Sequence, residues 1–176
     1  MKILFLYRYG ILGGVCTQLF HRFRHLPDNN NFEIHCGFRS DHGIKEMLSS
    51  YATLHFGLNK ESTKTFLRDN KFDLIIIIDS EEYIEAVREL DLDSKVIVEV
   101  HTSIERNLEY LSRIEPDDID GFITVSKYMI GRIKHHIRPE LKDKTITRFQ
   151  NVLDSELFKP VEIETAGPPV IGWVGN

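Results

Sequence analysis

Apolar, β-branched runs alternate along the chain with stretches whose apolar positions recur every three or four residues. KILFLY at 2–7 reads as a strand, and Val15, Leu19, Phe23 and Leu26 recur at helical spacing, which predicts a helix over 14–26. Pro27, Asp28 and the asparagines after them make a turn. FEIHCG (32–37) is a second strand, a short helix is expected around 43–50, and ATLHF (52–56) is a third strand. A helix over 63–70 ends at Asn70, which can cap it. FDLIIIID (72–79) carries an unbroken apolar run that fits a strand buried on both faces, as in a parallel sheet. Ser80 is placed to cap the helix after it. KVIVEVH (95–101), a helix over 103–113, GFITVS (121–126), a helix over 127–137 and TITRF (145–149) complete the series.

Such βαβα alternation predicts an α/β fold: a Rossmann-like, doubly wound parallel sheet with helices on both faces. Ligands of such sheets bind outside the carboxyl ends of the strands. That rule singles out the loops Arg8–Gly14, Asp79–Glu82, His101–Ser103 and Ser126–Tyr128. Past Phe158 the pattern breaks, and KPVEIETAGPP carries prolines and a glycine with no period. Residues 1–158 are therefore expected to form one domain, 159–169 a linker, and VIGWVGN at 170–176 the first strand of a second domain cut short by the chain end.

Length and composition suit this picture. The 176 residues are 41% hydrophobic and 28% charged, and the net charge of −5 argues against nucleic acid as a bulk partner. No stretch approaches the roughly 20 apolar residues of a membrane helix. MKILFLYRYG is too short and too interrupted for a signal peptide. Cys16 and Cys36 form no CxxC, so a reducing compartment and a cytoplasmic location are expected. Charge is uneven. Residues 1–27 hold Lys2, Arg8, Arg22 and Arg24 without an acid, while residues 79–93 hold seven acids against Arg88. Such runs are usually solvated faces. The basic edge, with His21 and His25, could also meet an anionic lipid surface, which would make the protein peripheral at the inner membrane face.

Three segments carry candidate chemistry. RYGILGGV lacks both the G-x-G-x-x-G fingerprint and a Walker A lysine. Gly13 and Gly14 nonetheless stand where the first strand turns into the first helix. There the backbone can approach a ligand and free N–H groups can hold a phosphate, although tight turns use glycine too. In VEVHTS, His101 sits at the end of a central strand, where an imidazole can bond a sugar or polarise a hydroxyl. A lone histidine is more often structural, but its place at the carboxyl edge of the sheet weighs against that here. In TVSKYM, Ser126 reaches either a ligand or the next helix as its cap. Arg8, Val15, Thr102 and Lys127 flank these positions and complete the candidate substrate-binding set. His21 and His25 lie four apart in HRFRH, but no further ligand is evident, so no metal is expected.

Taken in order, these motifs resemble the N-terminal domain of family 4 glycosyltransferases, retaining enzymes of the GT-B class. YGILGGV is similar to that family's Gly-Gly loop, and VEVHTS to its strand-and-histidine segment. DGFITVSKYM is similar to its strand ending in Val-Ser, NVLDSELFKP to its hinge, and IGWVGN to the strand that opens its second domain. The chain departs from the family in having no acid or histidine just after the glycines, Val152 where glycine is common, and Asn176 in place of arginine. The resemblance implies transfer of a sugar from a nucleotide-sugar donor to a glycan, lipid or small-molecule acceptor with retention, and no cofactor or metal. It implies His101 as the catalytic residue, Gly13 and Gly14 at the donor phosphates, and Asn151 and Asp154 in the hinge. It also implies that this half alone is inactive, because the donor half carries the paired-glutamate motif. Two rivals remain: a non-catalytic Rossmann-like binding module, and part of a GT-B-type sugar epimerase.

Overall fold

The computed structural model describes residues 1–26, 31–155 and 158–159. The turn at 27–30, the linker beyond Lys159 and the strand expected at 170–176 lie outside the described residues.

The fold is α/β. Its centre is β1 (Lys2–Tyr7) beside β6 (Leu74–Ile78), with Leu4, Phe5 and Leu6 opposite Ile75, Ile76 and Ile77 in parallel register. Successive side chains of a strand point to opposite faces, so each of these strands feeds two cores. Leu4, Leu6, Ile75 and Ile77 pack on one face with Leu67 of α3 (Lys60–Asp69), Tyr83 and Val87 of α4 (Glu81–Arg88), and Met129 and Ile133 of α5 (Lys127–His136). Ile3, Phe5, Ile76 and Ile78 pack on the other with Cys16, Leu19 and Phe23 of α1 (Gly14–Arg24), and Ile44 and Leu48 of α2 (Ile44–Leu48). Burial on both faces explains why the central strands are apolar throughout. Both cysteines are buried and free.

Among the described residues the main sheet has seven strands, all paired in parallel, in the order β5 (Thr53–His55), β3 (Glu33–Gly37), β1, β6, β7 (Lys95–Val100), β8 (Gly121–Thr124), β9 (Thr145–Arg148). The chain winds outward from β1 to β5, then returns to β6 and winds the other way. The switch point, where such sheets open a crevice, lies between the carboxyl ends of β1 and β6.

Several expectations are corrected. The segment 103–113 forms two 3-10 turns, Glu105–Asn107 and Glu109–Arg113, instead of an α-helix. The Thr102 hydroxyl draws the N–H of Ile104 (3.4 Å), a local side-chain bond that competes with a helical start, while Leu108, Tyr110, Leu111 and Ile114 are buried. Ser80 caps nothing with its side chain; its hydroxyl is buried without a hydrogen-bond partner, and Glu81 and Glu82 supply the negative charge at the start of α4. α3 begins earlier than expected because Asn59 and Ser62 form a reciprocal capping box (Ser62 N to Asn59 Oδ1 3.0 Å, Asn59 N to Ser62 Oγ 2.8 Å). A small parallel pair, β2 (Tyr9–Ile11) with β4 (Ser40–His42), stands apart from the main sheet.

Candidate functional site

A cleft of about 500 Å³ opens at the switch point. Tyr7, Arg8 and Tyr9 line it after β1, Val15 from the first turn of α1, Asp79 after β6, and His101 and Thr102 after β7. Arg106, Asn107, Tyr110 and Arg113 of the 3-10 turns close one side. Of the candidates named from sequence, Arg8, Val15, His101 and Thr102 therefore meet in one place. Gly13, Gly14, Ser126 and Lys127 are not among its lining residues; Gly13 and Gly14 directly precede Val15, and Ser126 Oγ accepts the N–H of Met129 (3.2 Å) and caps α5.

His101 is held from two sides. Its ring Nε2 lies 2.7 Å from Glu99 Oε1, and Glu99 is fully buried. Arg22 of α1 grips the same carboxylate with two bonds (Nη1 to Oε2 2.8 Å, Nη2 to Oε1 2.6 Å) and stacks on the Phe149 ring at 4.6 Å. Burial alone would raise the Glu99 carboxyl, but the bonds from His101 and Arg22 bring it down to about 2. An ionised carboxylate only accepts, so Nε2 must carry the proton, and the tautomer of His101 is fixed with Nδ1 as its adjustable atom.

The backbone around His101 is fixed by Asp79. Its carboxylate accepts the N–H of His101 (3.1 and 3.2 Å) and of Thr102 (3.2 Å). Asp79 adopts φ +43°, a left-handed conformation that costs a non-glycine residue about 1–2 kcal/mol. Burial pushes its carboxyl up to about 6, against the lowering effect of those N–H groups.

Two buried polar atoms around this cleft lack a hydrogen-bond partner: Arg8 Nε and the Tyr110 hydroxyl. Arg8 Nε does sit 3.5 Å from Glu82 Oε2 in an ion pair. Buried polar atoms are nearly always satisfied, so the Tyr110 hydroxyl marks a place where a ligand can bond. Arg113 is engaged by Glu81 (2.5 and 2.8 Å).

The glycines of the first loop divide by role. A Cβ on Gly10 would lie 2.2 Å from the Ser40 carbonyl oxygen, so the β2–β4 pair requires that glycine. Gly13 is extended at φ −162°, which any residue adopts, and a Cβ on Gly14 would meet nothing within 4 Å. Packing demands neither. α1 also starts with no side-chain cap and no acid in its first turn, whereas α3 has both and α5 has the Ser126 cap.

The hinge candidates part company. Asn151 is exposed, whereas Asp154 is buried and pairs with Arg24 (3.1 Å) and His25 (3.6 Å) of the α1 end. The basic edge is thereby largely consumed. His21 is buried and Arg22 belongs to Glu99, while Arg24 and His25, both partly exposed, reach Asp154. Among the described residues no helix is long and apolar enough to cross a membrane. The acidic run is also used: Glu85 and Glu89 take Lys60, and Glu89 takes Lys64.

Sequence reasoning missed Glu99, Arg106 and Tyr110, and it placed Asp79 in a candidate loop without giving it a role. Signals existed for two of them: an acid inside the apolar run KVIVEV, and an acid closing LIIII. No protein-family model matches this chain, and no curated protein matches it.

Proposed function

We propose that this chain is the acceptor-side, N-terminal domain of a retaining, GT-B-type hexosyltransferase of family 4, which moves a sugar from a nucleotide-sugar donor to a glycan, lipid or small-molecule acceptor. The observation that carries the reading is the composition of the switch-point cleft. An uncapped, acid-free helix start shares it with a histidine whose ring is set by a buried carboxylate.

Each part has a task in such a transfer. The sugar departs through an oxocarbenium-like state while negative charge grows on the leaving diphosphate. Backbone N–H groups at Gly13, Gly14 and the first turn of α1 stabilise that charge without reorganising. His101 bonds the donor sugar or orients the acceptor hydroxyl, with Thr102 beside it. Arg8 and Arg106 favour an anionic group in the cleft. A second domain would bring the donor base and the remaining catalytic groups, and holding both substrates between two domains supplies most of the orientational gain. The chain by itself is accordingly expected to show no turnover.

Saturation-transfer NMR on the 176-residue chain, with a panel of UDP-, GDP- and ADP-sugars and free saccharides, tests the proposal. Contact at millimolar affinity with at least one nucleotide sugar, weakened several-fold by His101→Ala, is expected. A folded chain that gives no transfer to any of them sinks the reading, and turnover by this chain alone refutes the division of labour.

A further inference from the structure

We infer that His21, His25 and Asp154 form a binding site for a divalent transition-metal ion of the zinc class, outside the cleft, which fastens the 151–155 segment to the end of α1. The two histidines lie one helical turn apart, so their rings leave the same side of α1. Asp154 arrives from the far end of the chain. One ligand atom from each of the three lies within 4.8 Å of the others, the one such group of His, Cys, Asp or Glu among the described residues. Zinc bonds of roughly 2.0–2.2 Å to nitrogen and carboxylate oxygen need ligand atoms about 3.0–3.6 Å apart. Side-chain rotations of about an ångström close that gap.

A second observation points the same way. His21 is 6% exposed, and its Nδ1 is buried with no hydrogen-bond partner. A ring nitrogen left so is costly, and a metal bond is one of the few things that satisfies it. The carboxylate is also held in place beforehand. Val152 N donates to Gln18 Oε1 (2.9 Å), and Phe158 N donates to the Asp154 carbonyl (2.9 Å), so the segment already rests on α1. His25 is half-exposed, which leaves a side open to water as a further ligand.

The charge balance permits the ion. Asp154 now pairs with the Arg24 guanidinium at 3.1 Å, and Arg24 is itself partly exposed. A metal ion replaces one compensating cation with another, and Arg24 turns to water. Other histidine groups are unsuited to this role. His35 spends its two ring nitrogens in opposite directions, Nδ1 on His55 (2.9 Å) and Nε2 on Glu33 (2.7 Å), so the three cannot converge on one ion. His136 pairs with Glu105 at 3.1 Å.

The test titrates the 176-residue chain with Co²⁺, read by its visible d–d bands, and with Zn²⁺, read by competition with a chromophoric chelator. One equivalent is expected to bind at micromolar affinity or tighter. His25→Ala, at a half-exposed position that does not threaten the fold, weakens binding at least about tenfold, and so does Asp154→Asn. Arg24→Ala tightens it several-fold by releasing the carboxylate, and His135→Ala leaves it unchanged. The inference falls if the folded chain binds neither ion below about 100 µM, if His25→Ala leaves the affinity intact, or if Arg24→Ala weakens it.

Discussion

Asp79 and Glu99 are two carboxyls that fix one histidine, and their surroundings drive them in opposite directions. Glu99 is held near 2 by His101 and Arg22, so it stays ionised at any pH at which the protein functions. Asp79 has only backbone N–H groups as partners, and burial lifts it to about 6. The folded state therefore binds the Asp79 proton more tightly than the unfolded chain does. The resulting stabilisation is fully present below the unfolded value near 4 and is lost as pH rises through about 6. Integrated, the difference is on the order of 2–3 kcal/mol. Asp79→Asn removes it. Urea unfolding at pH 4 to 7 should show the variant gaining on the parent by that order as pH rises, and a difference that stays flat with pH would discard the assignment. At this scale the site was partly legible. His101 announced itself by ending a central strand, and Arg8, Val15 and Thr102 by neighbouring the right loops. Glu99 and Arg22 did not, because a pair joining β7 to α1 has no local pattern; its members are 77 positions apart.

The loop after β1 shows how one short element can mix packing with chemistry. Gly10 lets β2 lie against β4, while Gly13 and Gly14 serve no packing need. Substitution separates the roles. Gly10→Ala forces a methyl group onto the Ser40 carbonyl and should cost about 1–3 kcal/mol. Gly14→Ala lies in open space at the start of α1 and should stabilise the fold by about 0.4–1 kcal/mol through the unfolded chain. Its effect appears instead as weaker contact with a nucleotide diphosphate, by several-fold in saturation transfer. If Gly14→Ala destabilises, or leaves that contact unchanged, the glycine is there for the backbone alone. Among the described residues the main-sheet strands and the five α-helices were all legible in the sequence, the strands from their apolar runs and α1 from its helical spacing. What escaped were the short β2–β4 pair, which has too few residues to show a period, and the 3-10 turns, whose buried Leu108, Leu111 and Ile114 join the core much as a helix would.

At the scale of the whole molecule, size does not identify the site. A second cavity of about 470 Å³, lined by residues such as Asn70, Phe72, Leu90 and Ser94, lies at the amino ends of β6 and β7, opposite the cleft of about 500 Å³. Topology separates the two. In a parallel sheet each crossover returns a helix to the amino edge, so the helix starts and the loops that diverge at the switch point all gather at the carboxyl edge. α1 brings its first turn there through Val15, and Arg8, His101 and Arg106 add cationic or proton-carrying groups. The amino-edge cavity instead receives the ends of α3 and α4, and its lining sets Glu89, Asp91 and Asp93 against Arg68 and Lys71, a less favourable setting for a phosphate. Backbone amide shifts followed during a nucleoside diphosphate titration should move around Arg8, Val15, Asp79 and Thr102 and stay still around Asn70 and Leu92. Shifts confined to the amino edge would overturn the placement of the site while leaving the fold untouched. Shifts at the carboxyl edge that survive His101→Ala but vanish with Arg8→Ala would leave an anion-binding module and remove the case for transfer chemistry.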